Sequence, residues 1–128
     1  MPLLFRRLTP LLPALLVLLA IIMAQSAKAD FVPGTEDVPL APGLTAMADD
    51  ALVFDNPTGR IVQATATGST NADAVTRYYT DTLPQLGWVR GSDGRWTRSG
   101  EVLDIAIATD ATTRRLTVRF QLSPRAER

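Results

Sequence analysis

Apolar and polar residues alternate near the end of the chain, and this alternation constrains the fold more than any other feature of the sequence. Successive side chains of a β-strand point to opposite faces of a sheet, so strands over residues 101 to 108 and 115 to 122 would each have an apolar and a polar face. Such strands are typical of an antiparallel sheet with one face packed and the other solvated. The apolar face comprises Leu103, Ile105, Ile107, Leu116, Val118, Phe120 and Leu122.

Two β-hairpins are predicted upstream of these strands. The apolar run at residues 51 to 55 and the alternating run at residues 60 to 67 flank Asn-Pro-Thr-Gly at residues 56 to 59, which is strong turn chemistry. A shorter pair of strands within residues 88 to 98 surrounds Gly-Ser-Asp-Gly at residues 91 to 94. We therefore expect one hairpin in each half of the mature chain.

A single helix is predicted between the hairpins, over residues 71 to 86. Thr70 is the expected N-cap, and Asp73 three residues later resembles a capping box. Pro84 predicts a kink or a tightened last turn, and Gly87 is a natural residue to follow the helix. An apolar stripe at helical spacing comprises Val75, Tyr78, Tyr79, Thr82 and Leu86.

These elements define an α+β fold with the order ββαββββ, in which the helix covers the apolar face of an antiparallel sheet in two layers. We place this domain at residues 49 to 122 and a polar tail at residues 123 to 128. Residues 30 to 48 are proline-rich, which excludes helix, and we predict an extended strap there. Its apolar residues favour packing against the domain, with a partner-binding arm as the alternative: Phe31, Val38, Leu40, Leu44 and Met47.

Residues 1 to 29 are predicted to be a signal peptide that is cleaved after Ala29. Arg6 and Arg7 form its positive start, residues 11 to 24 are apolar, and Ala27 with Ala29 supplies the small residues of a cleavage site. The apolar run is shorter than the roughly 20 residues that a membrane-spanning helix needs, which argues against the alternative of an uncleaved anchor. We therefore expect a periplasmic protein with no integral membrane span after cleavage.

The composition excludes several classes of function. The chain contains no histidine and no cysteine, so it lacks the commonest general base, a thiolate nucleophile, a disulfide and a lipid-attachment site. The predicted signal peptide holds three of the 13 basic residues, which leaves ten against 13 acidic ones. Such a charge balance does not favour nucleic acid as a partner. We expect no enzymatic activity and no cofactor.

Acidic loop residues are the remaining candidates for a metal site. Asp49 and Asp50 are adjacent, but adjacent side chains on an extended chain point to opposite faces. Asp93 stands alone in its turn, whereas calcium needs several oxygen ligands at loop spacing. We interpret all three as solvated loop residues and expect no metal.

A pattern around the helix resembles one that recurs in small bacterial envelope proteins. It comprises Val-Thr-Arg-Tyr-Tyr at residues 75 to 79 and Thr-Leu-Pro-Gln-Leu-Gly-Trp at residues 82 to 88. With residues 37 to 40 and 52 to 55, the whole mature chain resembles an uncharacterised family of small exported proteobacterial proteins. Residues 71 to 122 are also distantly similar to the helix-grip domains of BamC-type outer-membrane assembly lipoproteins, although this chain has no cysteine to lipidate. The resemblance implies a protein-binding accessory role and assigns no functional residue.

Two surfaces are candidates for function. The polar sheet face is the expected place of contact with an envelope protein or a glycan, because arginine is enriched where proteins meet. The alternative is a small-ligand carrier with a cleft between helix and sheet, lined by Tyr78, Tyr79 and Trp96. We favour core packing for these aromatics, since a small domain needs their buried area. Neither the partner nor the oligomeric state follows from the sequence. The candidate partner-binding residues are Asp104, Arg115, Arg119 and Gln121.

Overall fold

A computed structural model describes residues 30 to 126, so the predicted signal peptide lies outside the described residues. Within them, one α-helix packs on one antiparallel sheet, as the sequence predicts. Single-turn 3₁₀ helices occur at Ala48–Asp50 and Leu83–Leu86. The other elements are β1 (Leu44–Ala46), β2 (Leu52–Asn56), β3 (Gly59–Gly68), α1 (Ala72–Thr82), β4 (Val89–Arg90), β5 (Trp96–Arg98), β6 (Glu101–Thr109) and β7 (Leu116–Pro124).

The sheet has seven strands in the order β1-β3-β7-β6-β5-β4, and β2 pairs with β3 alongside β1. Every pairing is antiparallel. Strands β2 to β7 and α1 reproduce the predicted order ββαββββ, and β1 is an additional short strand. It comes from the strap, where the sequence predicts extended chain but no pairing partner.

The register of β3 with β7 places the buried apolar residues of both strands on one face, which we call the inner face. Ala64 lies opposite Phe120, and Ala66 lies opposite Val118. All four are buried in the main apolar cluster, which also contains Val75 and Tyr79 of α1. Ile105, predicted to be buried, is only partly buried.

Helix α1 begins one residue later than the capping pattern predicts. Asn71, not Thr70, is the N-cap, because its Oδ1 accepts a hydrogen bond from the Ala74 amide at 2.8 Å. Asparagine and threonine can both cap a helix, and the backbone adopts the extended cap conformation at Asn71. The prediction of Thr70 as N-cap is therefore wrong by one position.

The C-terminal end of the helix tightens as Pro84 predicts. A 3₁₀ turn carries the proline, and Gly87 follows it in the left-handed conformation with φ of 91°. Leu83 is fully buried, whereas Leu86, the predicted core residue, is 38% exposed. Leu83 lies one helical turn beyond Tyr79 and keeps to its face, and the tighter turn leaves Leu86 outside the core.

The strap, residues 30 to 48, packs along the core edge. Val32, Val38 and Ala41 are buried in the main apolar cluster. Phe31 and Met47 are instead 47% and 40% exposed, so they do not pack as expected. The Met47 amide donates a hydrogen bond to the Thr65 carbonyl at 2.8 Å, so the backbone of Met47 is joined to β3. Its side chain nevertheless remains exposed to solvent.

Candidate functional site: the outer face of the sheet

The outer face is the side of the sheet opposite α1, and it carries most of the predicted partner-binding residues. Cross-strand pairing through β3, β7 and β6 sets its side chains in rows. One row runs through Gln63, Gln121 and Asp104, the next through Thr65, Arg119 and Ala106, and a third through Thr67, Thr117 and Ala108.

Arg119 occupies the centre of this face. Its neighbours in register are Thr65 on one side and Ala106 on the other, both small. Its side chain is exposed, and among the described residues no hydrogen bond or salt bridge holds its guanidinium group. A guanidinium presents five N–H donors in a rigid planar fork, which suits carboxylate and carbonyl acceptors. The centre of the outer face thus offers a free donor group on a flat surface.

Gln121 and Asp104 lie directly opposite each other, two positions along β7 from Arg119. The Asp104 carboxylate also lies 3.8 Å from Nε of Arg95, with both side chains about half exposed. An ion pair this exposed contributes little to stability. The sheet therefore brings Arg119, Gln121 and Asp104 into one patch, as the alternation predicts.

Arg115 lies at one end of the outer face, just before β7 begins. Its Nη2 donates to the Thr67 hydroxyl at 3.3 Å. The preceding loop is organised by Asp110, whose Oδ1 accepts from the amides of Thr112 and Thr113, both at 2.8 Å. These hydrogen bonds hold the pKa of the Asp110 carboxyl below its ordinary value. Arg115 is thus placed beside the patch by the loop and does not belong to the central rows.

An exposed apolar group on β2 is the feature that the sequence analysis missed. Leu52 lies opposite Gln63 and Phe54 lies opposite Ile61, so both project from the outer face. They are 48% and 50% exposed. The apolar run of β2 contains no alternation, and that signal could have indicated that one of its faces stays uncovered.

The aromatic residues under the helix fill the space that a ligand cleft would occupy. Tyr79, Trp88 and Trp96 are buried. The Tyr79 ring meets the Phe120 ring edge-on with centroids 5.7 Å apart, and Tyr78 meets Tyr79 in the same way at 5.1 Å. These contacts form a packed core.

A cleft of about 550 Å³ lies elsewhere, between the strap and the turn ends of the strands. Asp37 of the strap pairs there with Arg98, and the Arg98 guanidinium lies 4.3 Å from the centre of the Trp88 ring. The other charged residues of its lining are Glu36, Arg60 and Glu101. None of the aromatics proposed for a ligand cleft lines it.

The acidic residues considered for a metal site are dispersed. Asp49 and Asp50 lie in the exposed 3₁₀ turn between β1 and β2. Asp93 accepts a hydrogen bond from the Arg95 amide within its own turn, at 3.1 Å. Across residues 30 to 126, acidic side chains do not converge in a group of three that could hold a metal ion.

Comparison with protein-family models, curated proteins and solved structures gives no match for this chain. The resemblance to small exported envelope proteins therefore stays a prediction. Among the described residues, no helix is long and apolar enough to cross a membrane.

Proposed function

We propose that this protein is a non-enzymatic accessory module of the periplasm that binds another envelope protein through the outer face of its sheet. The observation that carries the proposal is Arg119, whose guanidinium is free at the centre of a flat, uncovered surface. Arginine is enriched among the residues that dominate protein–protein binding energy. It is better suited than lysine to planar recognition of carboxylates.

The neighbours of Arg119 support a protein partner. Thr65 and Ala106 are small, so a partner's backbone or carboxylate can approach the guanidinium from above. Gln63 and Gln121 lie side by side in the adjacent row and offer both donors and acceptors. Arg119 lies among small or neutral polar neighbours, and the one carboxylate of the patch, Asp104, lies beside Arg95. This arrangement suits a partner segment that carries at least one carboxylate.

The packing under the helix favours this proposal over a small-ligand carrier. The carrier needs space between helix and sheet, and Tyr79 with Phe120 fills that space. The absence of histidine and cysteine from the sequence supports a role outside catalysis, since these residues supply the usual bases and nucleophiles.

Site-specific photo-crosslinking in the periplasm tests the proposal. A crosslinking amino acid at Ala106, beside Arg119, should capture a defined partner protein. The same group at Ala74, exposed on α1, is the matched control and should capture none. Equal capture from both positions would mean that the outer face is not the specific contact surface, and it would contradict the proposal.

A substitution at Arg119 then tests its role in that contact. Arg119→Ala should reduce the Ala106 adduct by about tenfold or more, since a dominant interface residue contributes at least 2 kcal/mol. Its free energy of unfolding should change by less than about 0.5 kcal/mol, as for other surface changes. Arg77→Ala on the helix is the control and should leave the adduct intact. Undiminished capture by Arg119→Ala would overturn the assignment.

Export is the second part of the proposal. Mass spectrometry of the periplasmic fraction should detect a mature chain that begins at Asp30. Recovery of the chain with Met1 in the inner membrane would instead support the anchor.

A further inference from the structure

Strand β2 is an apolar edge strand. It pairs with β3 on one side, and among the described residues no strand pairs with its other side. Leu52, Val53 and Phe54 are 48%, 44% and 50% exposed. Natural edge strands are usually protected from further pairing by a charge, a proline or a bulge. The Leu-Val-Phe run itself contains no charge, proline or bulge, and the charge of β2 lies beyond it at Asp55, so this part of the edge is a template for another strand.

We propose that β2 pairs antiparallel with β2 of a second copy of this chain, about a two-fold axis that passes through Val53. Each Leu52 then lies opposite Phe54 of the second copy on the outer face, and the two Val53 residues lie opposite each other on the inner face. The same patch serves both subunits, as a two-fold interface requires. Direct cross-strand pairs of this kind stabilise antiparallel sheets.

The sequence of β2 favours a second copy because it is self-complementary in this register. Every apolar residue of the run meets an apolar residue. A register shifted by one or two positions in either direction places Asp50 or Asp55 opposite an apolar residue or opposite another aspartate. The arrangement centred on Val53 is the one that keeps both carboxylates off the Leu-Val-Phe run and away from other aspartates, because it places Asp55 opposite Ala51 and Asp50 opposite Asn56.

The charges around β2 are compatible with this pairing. The two Asp55 residues end up roughly 14 Å apart, because each residue advances a strand by about 3.4 Å. That separation exceeds the screening length of about 8 Å at physiological salt. Within each chain, Arg60 lies opposite Asp55 on β3 and offsets its charge.

The dimer would join the two sheets into one continuous sheet. Because the paired residues share faces, both outer faces point to the same side and both helices to the other. The two Arg119 patches would then form one extended surface. The dimer itself does not depend on that surface binding a partner.

Disulfide trapping tests the register directly, since the natural chain contains no cysteine. Directly opposed residues of an antiparallel pair have Cα atoms about 4.5 to 5.5 Å apart, within the range that a disulfide spans. Val53→Cys in the exported, purified protein should therefore give a covalent dimer under mild oxidation. Asp55→Cys is the matched control and should give no covalent dimer, because the two copies of residue 55 lie too far apart for a disulfide. Equal crosslinking of both variants, or of neither, would overturn the proposal.

Sedimentation equilibrium provides an independent test without cysteine. An interface this small is expected to be weak, so the protein should approach the mass of a dimer at a concentration of about 100 μM. Phe54→Lys should restore the monomer by placing a charge in the contact. Val89→Lys adds the same charge to the opposite edge, at a side chain 66% exposed, and should remain dimeric. A monomer at all concentrations, or equal behaviour of the two variants, would show that β2 does not pair in this way.

Discussion

The hydroxyl of Tyr79 donates a hydrogen bond to the carbonyl oxygen of Pro39 at 2.8 Å, which fastens the strap to helix α1. The Tyr79 hydroxyl oxygen in turn accepts a hydrogen bond from the Ala41 amide at 3.1 Å. The Tyr79 ring packs on Phe120 of β7. One side chain therefore connects the strap, the helix and the sheet.

Loss of the Tyr79 hydroxyl should destabilise the domain through the strap. Tyr79→Phe keeps the ring but leaves the Ala41 amide and the Pro39 carbonyl without this partner, and we expect a loss of about 1–3 kcal/mol in the free energy of unfolding. Urea denaturation would measure it. Tyr78→Phe is the matched control, and a comparable loss there would show that the hydroxyl of Tyr79 has no special role.

Burial also raises the pKa of Tyr79 above its ordinary value of 10.0, against the smaller effect of the Ala41 amide. The proton is bound more tightly in the folded state, so this group stabilises the fold fully below pH 10 and its contribution is lost as the pH rises further. We expect the wild type to lose more stability than Tyr79→Phe between about pH 9 and 11.5. The melting temperatures of the two proteins, measured across this pH range, give the comparison, and an equal decrease in both would contradict that expectation.

The contacts of Arg98 predict that its guanidinium matters more than its charge. It pairs with Asp37 of the strap, donates to the Leu86 carbonyl at 3.0 Å and lies over the Trp88 ring. Arg98→Lys keeps the charge but loses the planar fork, and it should cost about 1 kcal/mol or more. Arg90→Lys is the control, because Arg90 lies farther from its Trp96 ring, at 5.7 Å. Equal thermal stability of the two variants would show that the contacts of the Arg98 guanidinium do not stabilise the fold.

Gly68 allows β1 to approach β3. A Cβ atom there would lie 2.1 Å from the carbonyl oxygen of Gly43, so the two strands could not keep their spacing. Gly68→Ala should cost about 1–3 kcal/mol, as overpacking usually does. Hydrogen exchange at the Met47 amide, which bonds to Thr65, should accelerate. Ser69→Ala, at the exposed neighbour, should leave that amide protected, and the same protection in Gly68→Ala would refute the prediction.

Truncation of Phe120 tests the assignment of the two faces. Its side chain is 2% exposed, so Phe120→Ala should cost about 3–5 kcal/mol in the free energy of unfolding. Arg119→Ala, one position away and on the outer face, should change it by less than about 0.5 kcal/mol. Thermal melting of the pair gives the comparison, and the opposite ranking would mean that the two faces are exchanged.

Much of the fold follows from local patterns that the sequence contains. The alternation along β7 assigns Phe120 to the inner face and Arg119 to the outer face, because a strand has a strict period of two. Pro84 and Gly87 determine how the helix ends, since both restrict the backbone locally. The candidate patch of Arg119, Gln121 and Asp104 could be predicted for the same reason.

Other features required the tertiary structure, because they depend on residues distant in the chain. The N-cap is Asn71 and not the predicted Thr70. Both side chains can cap a helix, and only the path of the backbone selects one of them. The extra strand β1 exists because Gly68 lets the strap approach β3.

The sequence by itself determined which residues of β7 face the core, because alternation along a strand is a local property of the backbone. The tertiary structure decided which exposed groups remain free. Leu52 and Phe54 stay half exposed because β2 lies at the edge of the sheet, and Tyr79 holds Pro39 because the strap returns across the helix. Pairings between distant segments depend on chain topology, which no local pattern contains.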